Sequence, residues 1–331
     1  MDRPARILAV GFAGLLLAAG CSSGSSGSPA SGTQGSPSSA ASGATTSIKV
    51  GTAPTLSGTS FYLAAQNRTF VKDHLSAAPE LMTSGAQSIP LLLNGQIQFS
   101  VSDAVAAIKA ISQGVPLEIV AQGPIVSPDP RKDNAGLLVG RGITRVGELA
   151  GKTVAVNALG SFSELAAERS IDLAGGDSGK VKFVELPIPQ MVAAVKAGTV
   201  AGAAISEPFL SEGKAAGLTD LMPILYRVFP DAPMVVYVTS TSYASSHPQV
   251  VREFTNAMTT ANATLSTSPA TLKSVGAHVA KMTAGQIANV ILPTYVPTPV
   301  SLDALQNVMK VMMEYKVLAA PVNLRSHVYG K

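Results

Sequence analysis

The stretch KTVAVNALGSFSELAAERSIDLAGGDSGKVKFVEL, residues 152–186, decides the fold class of this chain. It starts with a strand-like apolar run over residues 152–156. After a loop it continues with a helical pattern over residues 161–173, which Gly175 and Gly176 stop. A second strand-like run follows over residues 181–186. Because strands that alternate with helices form a parallel or mixed sheet covered on both faces, the stretch predicts an α/β fold.

The same order of elements is predicted on both sides of this stretch. Strands are expected over residues 48–50, 97–101 and 200–205, and helices over residues 60–67, 87–93 and 189–197. In each half, a helix that ends at Gly95 or Gly198 leads to a strand that ends at Asp103 or Glu207. This similarity between the two halves predicts two lobes with the same architecture. Residues 48–133 begin lobe 1, residues 134–240 form lobe 2, and the helical residues 241–331 return mainly to lobe 1.

The first 47 residues differ in composition from the rest of the chain. Arg3 and Arg6 precede an apolar run over residues 7–19, which is too short for a permanent spanning helix, and small residues lead to Cys21. This pattern resembles a bacterial lipoprotein signal. We therefore expect a signal peptide over residues 1–20, a lipid on Cys21, and a location at the outer side of the cytoplasmic membrane. An ordinary signal peptide with a spare cysteine is the alternative. Residues 21–47, rich in Ser and Gly, predict a flexible tether.

Residue usage argues against several classes of function. Basic residues are scattered singly along a chain of net charge +4, which disfavours a nucleic-acid partner. Cys21 is the single cysteine, and His74, His247, His278 and His327 lie far apart, so we expect no metal and no cofactor. No P-loop, GxGxxG or Ser/His/Asp order accompanies the predicted strand ends, so no catalytic residue is assigned. The sequence predicts a binding protein and not an enzyme.

Ligands of open α/β sheets bind beyond the carboxyl ends of strands, beside loops and helix N-termini. Four such ends stand out, at residues 52–59, 102–103, 157–163 and 206–209, and two facing lobes bring all four to one cleft. Apolar walls for a small organic solute are expected from Leu56, Phe61, Tyr62 and Phe209.

The polar residues of these ends allow alternatives. The amides at Gly160 and Ser161 can hold a sulfonate, carboxylate or nitrate, or Ser161 and Glu164 can form a capping box that uses those amides internally. Asp103 and Glu207 can recognise an ammonium, an amidine-like ring edge or hydroxyls, or can simply cap the helices that follow. A pair of carboxylates also occurs in glycosidases, at a defined separation that the sequence does not give.

Short motifs in a fixed order carry a family resemblance. They are IKVG (48–51) with Pro54 and YLA (62–64), SGA (84–86) with LLLNG (91–95), LAGKTVAV (149–156), PQMVAA (189–194) with AG (197–198), and EPF (207–209). With these motifs the chain from residue 48 onward resembles the nitrate, taurine and aliphatic-sulfonate branch of ABC-transporter solute-binding proteins. That group is similar also to pyrimidine-precursor binders of thiamin supply.

The resemblance implies a two-lobed periplasmic-binding-protein fold of type II, with a two-strand hinge near residues 121–134 and 225–241. It also implies a monomer that closes on a small-molecule solute and delivers it to an ABC permease driven by its ATPase. The ligand contacts would lie around Pro54, at residues 102–103, at the helix start 160–161 and at Glu207. The predicted ligand-binding residues are Pro54, Leu56, Ser57, Thr59, Ser102, Asp103, Gly160, Ser161 and Glu207.

The chain also departs from the family pattern. Gly202 stands where an aspartate is common, and the four strand ends contain no Arg or Lys, which weighs against a dedicated inorganic-anion site. We therefore expect a sulfonate-like or taurine-like organic solute. A pyrimidine-type vitamin precursor or an aromatic acid is the alternative, as is a lipoprotein that presents its ligand to a sensor. A pyrimidine synthase of related fold would need a cysteine and histidine cluster of its own.

Overall fold

The computed structural model describes residues 45–67, 69–72, 75–82 and 85–331. In this part of the chain, no helix is long and apolar enough to cross a bilayer. The predicted signal peptide, Cys21 with its predicted lipid, His74 and the motif residue Ser84 lie outside the described residues. Most of the predicted tether lies outside them as well. Its last two residues, Thr46 and Ser47, lie in the first strand.

Sheet 1 is a mixed sheet of five strands. The strands are β1 (Thr46–Thr52), β2 (Leu75–Leu81), β3 (Phe99–Asp103), β4 (Leu117–Gln122) and β10 (Val235–Ser240), in the order β2-β1-β3-β10-β4. β1 pairs in parallel with β2 and β3, whereas β10 is antiparallel to β3 and β4. Ile48, Val50 and Phe99 are buried, as expected for a sheet covered on both faces.

Sheet 2 repeats this arrangement with a later part of the chain. Its strands are β5 (Ala135–Val139), β6 (Thr153–Val156), β7 (Lys182–Glu185), β8 (Gly202–Ser206) and β9 (Thr219–Pro223), in the order β7-β6-β8-β5-β9. β6 pairs in parallel with β7 and β8, whereas β5 is antiparallel to β8 and β9. Each sheet therefore contains one antiparallel strand in the fourth position, and the predicted α/β class with two mixed sheets is confirmed.

Helices cover both sheets. They are α1 (Thr59–Gln66), α2 (Thr69–Lys72), α3 (Gly85–Leu93), α4 (Ala104–Ser112), α5 (Phe162–Leu173), α6 (Ile188–Lys196), α7 (Phe209–Ala215), α8 (Thr241–Ser246), α9 (Pro248–Thr267), α10 (Pro269–Val279), α11 (Ala284–Ala288) and α12 (Leu302–Glu314). Short 3-10 turns lie at Leu56–Gly58, Pro130–Lys132, Val146–Leu149, Ser178–Lys180 and Leu324–His327. α9 packs against α1 and β4, and α12 packs against α4.

Three apolar clusters hold these layers together. One lies between sheet 1 and helices α1, α9 and α10, where the ring of Phe254 stacks on that of Phe99 with their centroids 3.9 Å apart. A second lies between sheet 2 and helices α6 and α7. The third is continuous from sheet 1 through α4 and α12 to α5 and sheet 2, with Ile108 and Leu165 among its buried members. This third cluster fixes α4 and α5 beside each other.

The chain passes between the sheets twice, at residues 123–134 and 224–234. The two segments run antiparallel, with Ile125 paired to Pro233. The carboxylate of Asp133 accepts hydrogen bonds from the N–H groups of Ala135 at 3.2 Å, Leu225 at 2.8 Å and Tyr226 at 2.9 Å. These segments coincide with most of the predicted hinge. The lobe boundaries predicted at residues 133 and 240, and the predicted return of residues 241–331, stay predictions.

Candidate functional site

A cavity of about 330 Å³ lies where strand ends of the two sheets meet. In sheet 1 the parallel strands β1 and β3 end there, and in sheet 2 β6 and β8 do. The antiparallel strands β5 and β10 begin at the same edges, since Ala135 pairs with Ser206 and Val235 pairs with Asp103. Walls from both sheets therefore enclose one space, at the position where open α/β sheets bind ligands.

The cavity brings together most of the predicted ligand-binding residues. Those that line it are Pro54, Leu56, Ser57, Asp103, Ser161 and Glu207. Thr59, Ser102 and Gly160 are adjacent in the chain but are not part of its lining. The Thr59 hydroxyl donates to the Leu56 carbonyl at 2.7 Å, and the Ser102 hydroxyl donates to the Asp103 carbonyl at 3.2 Å. Whether any of these residues contacts a ligand stays a prediction.

Hydrogen bonds from Tyr295 fix the loop that follows β1. The hydroxyl of Tyr295 donates to the carbonyls of Leu56 at 2.9 Å and Ser57 at 3.2 Å. Tyr295 is buried, and this burial raises the pKa of its hydroxyl well above the usual range, so it stays a donor. The wall formed by Leu56 and Ser57 is therefore held in place before any solute binds.

Asp103 ends β3 and caps α4. Its carboxylate accepts the Ala106 N–H at 2.8 Å, which confirms the capping interpretation of this residue. The backbone N–H groups of Val105 and of Phe162, at the start of α5, also lie close enough to lower the pKa of this carboxyl. Burial raises the pKa of Asp103, and these N–H donors act in the opposite direction. The carboxylate therefore lies in the region where α4 and α5 contact each other.

The start of α5 is capped from within the chain. Ser161 is the N-cap, and its hydroxyl oxygen accepts the Glu164 N–H at 3.3 Å. The Glu164 carboxylate in turn accepts the N–H of Gly160, whose φ of 70° is a conformation that favours glycine. Asn157 accepts a hydrogen bond from the Ser161 hydroxyl at 3.2 Å. The structure therefore favours the capping interpretation of this loop.

Glu207 follows β8 and is 8% exposed. One carboxylate oxygen accepts the Ser211 hydroxyl at 2.9 Å and the Ile291 N–H at 3.2 Å, and the other accepts the Ser211 N–H at 3.1 Å. Ser211 lies on α7 of sheet 2, whereas Ile291 lies in the C-terminal part of the chain. Glu207 thus links these two regions and still lines the cavity.

The apolar walls are partly as predicted. Leu56 and Phe209 line the cavity, whereas Phe61 is buried in the cluster between sheet 1 and α1 with the ring of Tyr62 against its edge. Sequence reasoning missed Ala135, Ile188, Leu225, Met234, Val235 and Ala280, which also line it. Ala135 and Val235 begin antiparallel strands, and only the long-range pairing of those strands brings them to this edge.

The charged side chains that line the cavity are all acidic. Asp103 and Glu207 supply carboxylates, and none of the residues that line the cavity is Lys, Arg or His. Throughout the described ranges, no group of three or more His, Cys, Asp or Glu is placed to hold a metal ion. The ionisable side chains therefore offer hydrogen-bond acceptors to a solute, whereas the Ser, Thr and Asn side chains of the lining offer donors as well.

A larger open groove of about 810 Å³ lies at the opposite end of sheet 2. Its lining includes Arg141, Lys152 and Lys196, and all of it comes from residues 140–218. Because sheet 1 contributes nothing to this groove, it does not join the two halves of the fold as the smaller cavity does.

Comparisons with known proteins agree with this architecture. The sequence model of the NMT1-like family matches residues 41–282. A comparison with curated proteins gives no match. The alkanesulfonate-binding protein of Xanthomonas axonopodis pv. citri, solved with MOPS bound, is 19% identical with a TM-score of 0.71, over 86% of this chain and 98% of its own.

Two further structures share the fold. The ligand-binding component of an ABC-type import system from Staphylococcus aureus, solved with zinc bound, is 15% identical with a TM-score of 0.74, over 85% of this chain and 96% of its own. A desulfurization enzyme is 11% identical with a TM-score of 0.64, over 86% of this chain and 96% of its own. At these identities the likeness shows the fold alone, and that fold accommodates both binding and catalysis.

Proposed function

The chain belongs to the NMT1-like family, and from this premise we propose that it is the substrate-binding component of an ABC importer. It captures a small organic solute in the cavity between the two sheets and delivers it to a membrane permease that a cytoplasmic ATPase drives. In this role the protein binds its solute and does not transform it.

The observation that carries the proposal is the joint construction of the cavity. Leu56 and Asp103 come from the sheet 1 part of the chain, Ser161 and Glu207 from the sheet 2 part, and two antiparallel segments connect these parts. A solute that touches both walls stabilises the arrangement in which they face each other. A permease that recognises this arrangement then responds to the shift in population.

The cavity chemistry supports a solute with hydrogen-bond donors. A carboxylate that accepts an ammonium, an amidine-like edge or a hydroxyl makes a charge-assisted hydrogen bond, which is stronger than a neutral one. A volume of about 330 Å³ is at the lower end of the usual range for small-molecule sites. The expected sulfonate-like or taurine-like solute and the alternative pyrimidine-type or aromatic-acid solutes all belong in the test.

The proposal includes the cellular arrangement expected from the sequence. The protein acts as a monomer on the outer side of the cytoplasmic membrane, anchored by a lipid on Cys21, with residues 21–47 as its tether. The composition of that segment and the apolar run before Cys21 support this arrangement.

A thermal-shift screen of the purified protein tests the proposal. The panel contains organic amines, aminopyrimidines, taurine, alkanesulfonates and aromatic acids. A solute at a hundredfold its Kd stabilises the folded state by about 2.7 kcal/mol, which is visible as a higher melting temperature. We expect at least one compound to stabilise the wild type in a saturable manner.

Two variants show whether such a compound binds in the cavity. Ser206→Phe adds a ring at the cavity wall and should abolish the stabilisation, whereas Ser326→Phe, on the exposed C-terminal turn, should leave it unchanged. A panel without any stabilising compound, or a stabilisation that survives in a folded Ser206→Phe variant, would contradict the proposal.

A further inference from the structure

Residues 289–295, between α11 and α12, are connected by hydrogen bonds to both walls of the cavity, although none of them lines it. We call them the bridging segment. Its last residue, Tyr295, is buried in the apolar cluster between sheet 1 and helices α1, α9 and α10. The Tyr295 hydroxyl donates to the carbonyls of Leu56 at 2.9 Å and Ser57 at 3.2 Å, and both of these residues line the cavity. The end of the bridging segment is therefore attached to the sheet 1 wall.

The beginning of the bridging segment contacts the opposite wall. One oxygen of the Glu207 carboxylate accepts the Ile291 N–H at 3.2 Å and the Ser211 hydroxyl at 2.9 Å. The same hydroxyl lies 3.2 Å from the Asn289 carbonyl, which is a second acceptor for its single hydrogen. Glu207 lines the cavity, whereas Ser211 does not. The sheet 2 wall and the sheet 1 wall are thus joined through one short piece of chain.

The two attachments differ in strength. Towards sheet 1, the Thr294 carbonyl also accepts the N–H of Ile125, on the first connecting segment, at 2.8 Å. This adds to the burial of Tyr295. Towards sheet 2, Asn289 is exposed and Ile291 is only half-buried, so the contact there consists mainly of hydrogen bonds around one carboxylate. When the walls separate, the contact on the sheet 2 side is therefore the one that breaks.

We propose that Glu207 and Ser211 form a latch with the bridging segment, which holds the two cavity walls together and opens to admit the solute. All hydrogen bonds of this latch are formed within the chain, so it closes without a solute. Ser211 is a positioning residue, because it acts on the solute only through Glu207 and the bridging segment. The inference rests on the proposed function, since it describes how the same cavity opens.

Pulsed electron paramagnetic resonance tests the inference through the distance between the two walls. One spin label is attached to Leu81→Cys, at the end of β2 beside the cavity edge of β1. The other is attached to Leu159→Cys, between Asn157 and Ser161, which line the cavity. The two leucines are 66% and 56% exposed, so the labels replace little packing. The full chain carries Cys21→Ser to prevent labelling there, and no solute is added.

The wild type is expected to give one short and narrow distance distribution. Hydrogen bonds to a charged group are stronger than neutral ones, so Glu207→Ala should release the latch most. We expect the ratio of long to short distances to rise at least about tenfold in Glu207→Ala and about threefold in Ser211→Ala. Ser211→Thr, which keeps the hydroxyl, should retain the distribution of the wild type. Ser326→Ala is the matched control, because its hydroxyl bonds only within an exposed turn, and it should also leave the distribution unchanged.

The inference is overturned if both alanine variants, verified as folded by circular dichroism, give the same distribution as the wild type. It is equally overturned if the wild type already contains the long component to the same extent. Because no solute is present, neither result depends on the proposed function. Failure of the proposed function is seen separately, as a wild type that no member of the solute panel stabilises.

Discussion

Replacement of Asp133 by alanine tests how the two connecting segments are held together. Asp133 is 4% exposed, and its carboxylate accepts the N–H groups of Leu225 and Tyr226 on the returning segment and of Ala135 on its own. Asp133→Ala leaves the Leu225 and Tyr226 N–H groups without this acceptor, and each orphaned buried donor costs about 1–3 kcal/mol.

The expected loss is smaller than the sum of these terms. Burial raises the pKa of Asp133, so the folded state also bears a cost for keeping this carboxylate charged, and alanine removes that cost. We therefore expect the free energy of unfolding to fall by about 3 kcal/mol. Urea unfolding followed by far-ultraviolet circular dichroism measures it, since the chain has no tryptophan for fluorescence.

Asp129→Ala is the control for this prediction. Asp129 lies on the same segment, and its carboxylate pairs with Arg131 at 2.8 Å on the surface. We expect a clearly smaller loss than for Asp133→Ala, because an exposed ion pair contributes little and the backbone N–H that this carboxylate accepts, that of Arg131, starts an exposed 3-10 turn. If Asp133→Ala unfolds at the same urea concentration as this control, the hydrogen bonds of Asp133 do not stabilise the connection between the sheets.

Two more substitutions probe the charge and packing around the sheets. Burial, and the neighbouring charges of Glu164 and Asp172, raise the pKa of Glu168 from 4.5 to about 7. The protonated side chain therefore contributes stability that is complete below the unfolded-state pKa and is lost as the pH rises through 7. Because Glu168 is only half-buried, we expect a modest effect: near pH 8 the free energy of unfolding of Glu168→Gln should exceed that of the wild type by about 1 kcal/mol, and near pH 4 the two should be equal. Urea midpoints that differ by the same amount at both pH values would contradict this expectation. Gly213→Ala places a Cβ 2.3 Å from Cδ2 of the buried Leu138, so we expect overpacking to lower the free energy of unfolding by about 1–3 kcal/mol, and an unchanged melting temperature would show that Leu138 moves without cost.

Local signals made much of the fold predictable. The helix predicted over residues 161–173 is α5, which starts at Phe162 with Ser161 as its N-cap, and the strand predicted over residues 152–156 is β6, which starts at Thr153. The predicted resemblance to the nitrate, taurine and sulfonate group of solute-binding proteins is confirmed by the family model and the shared fold. These signals work because caps and short apolar runs act within a few residues.

Elements that depend on partners far along the chain escaped prediction. The strand β2 carries Pro79 and two alanines, and its pairing with β1 makes it a strand. The helix α4 is almost wholly apolar, so it lacks the polar face that marks a surface helix. The strand predicted from residue 97 starts two residues too early, since β3 starts at Phe99.

In the site, too, residues marked by a local pattern were predicted, whereas residues brought in by distant contacts were missed. Asp103 and Glu207 were predicted because an acid after a strand is a local pattern, and both line the cavity. Met234 and Val235 were missed because they reach it through the antiparallel pairing of β10 with β3, a contact between distant residues.

A crystal structure of the protein with the solute found by screening shows whether the cavity between the two sheets is the solute-binding site. We expect solute density in the cavity where β3 and β8 end, within hydrogen-bond distance of Asp103 or Glu207 and in contact with walls from both sheets. A solute bound in the open groove beside Arg141 and Lys152, with the cavity empty, would contradict it.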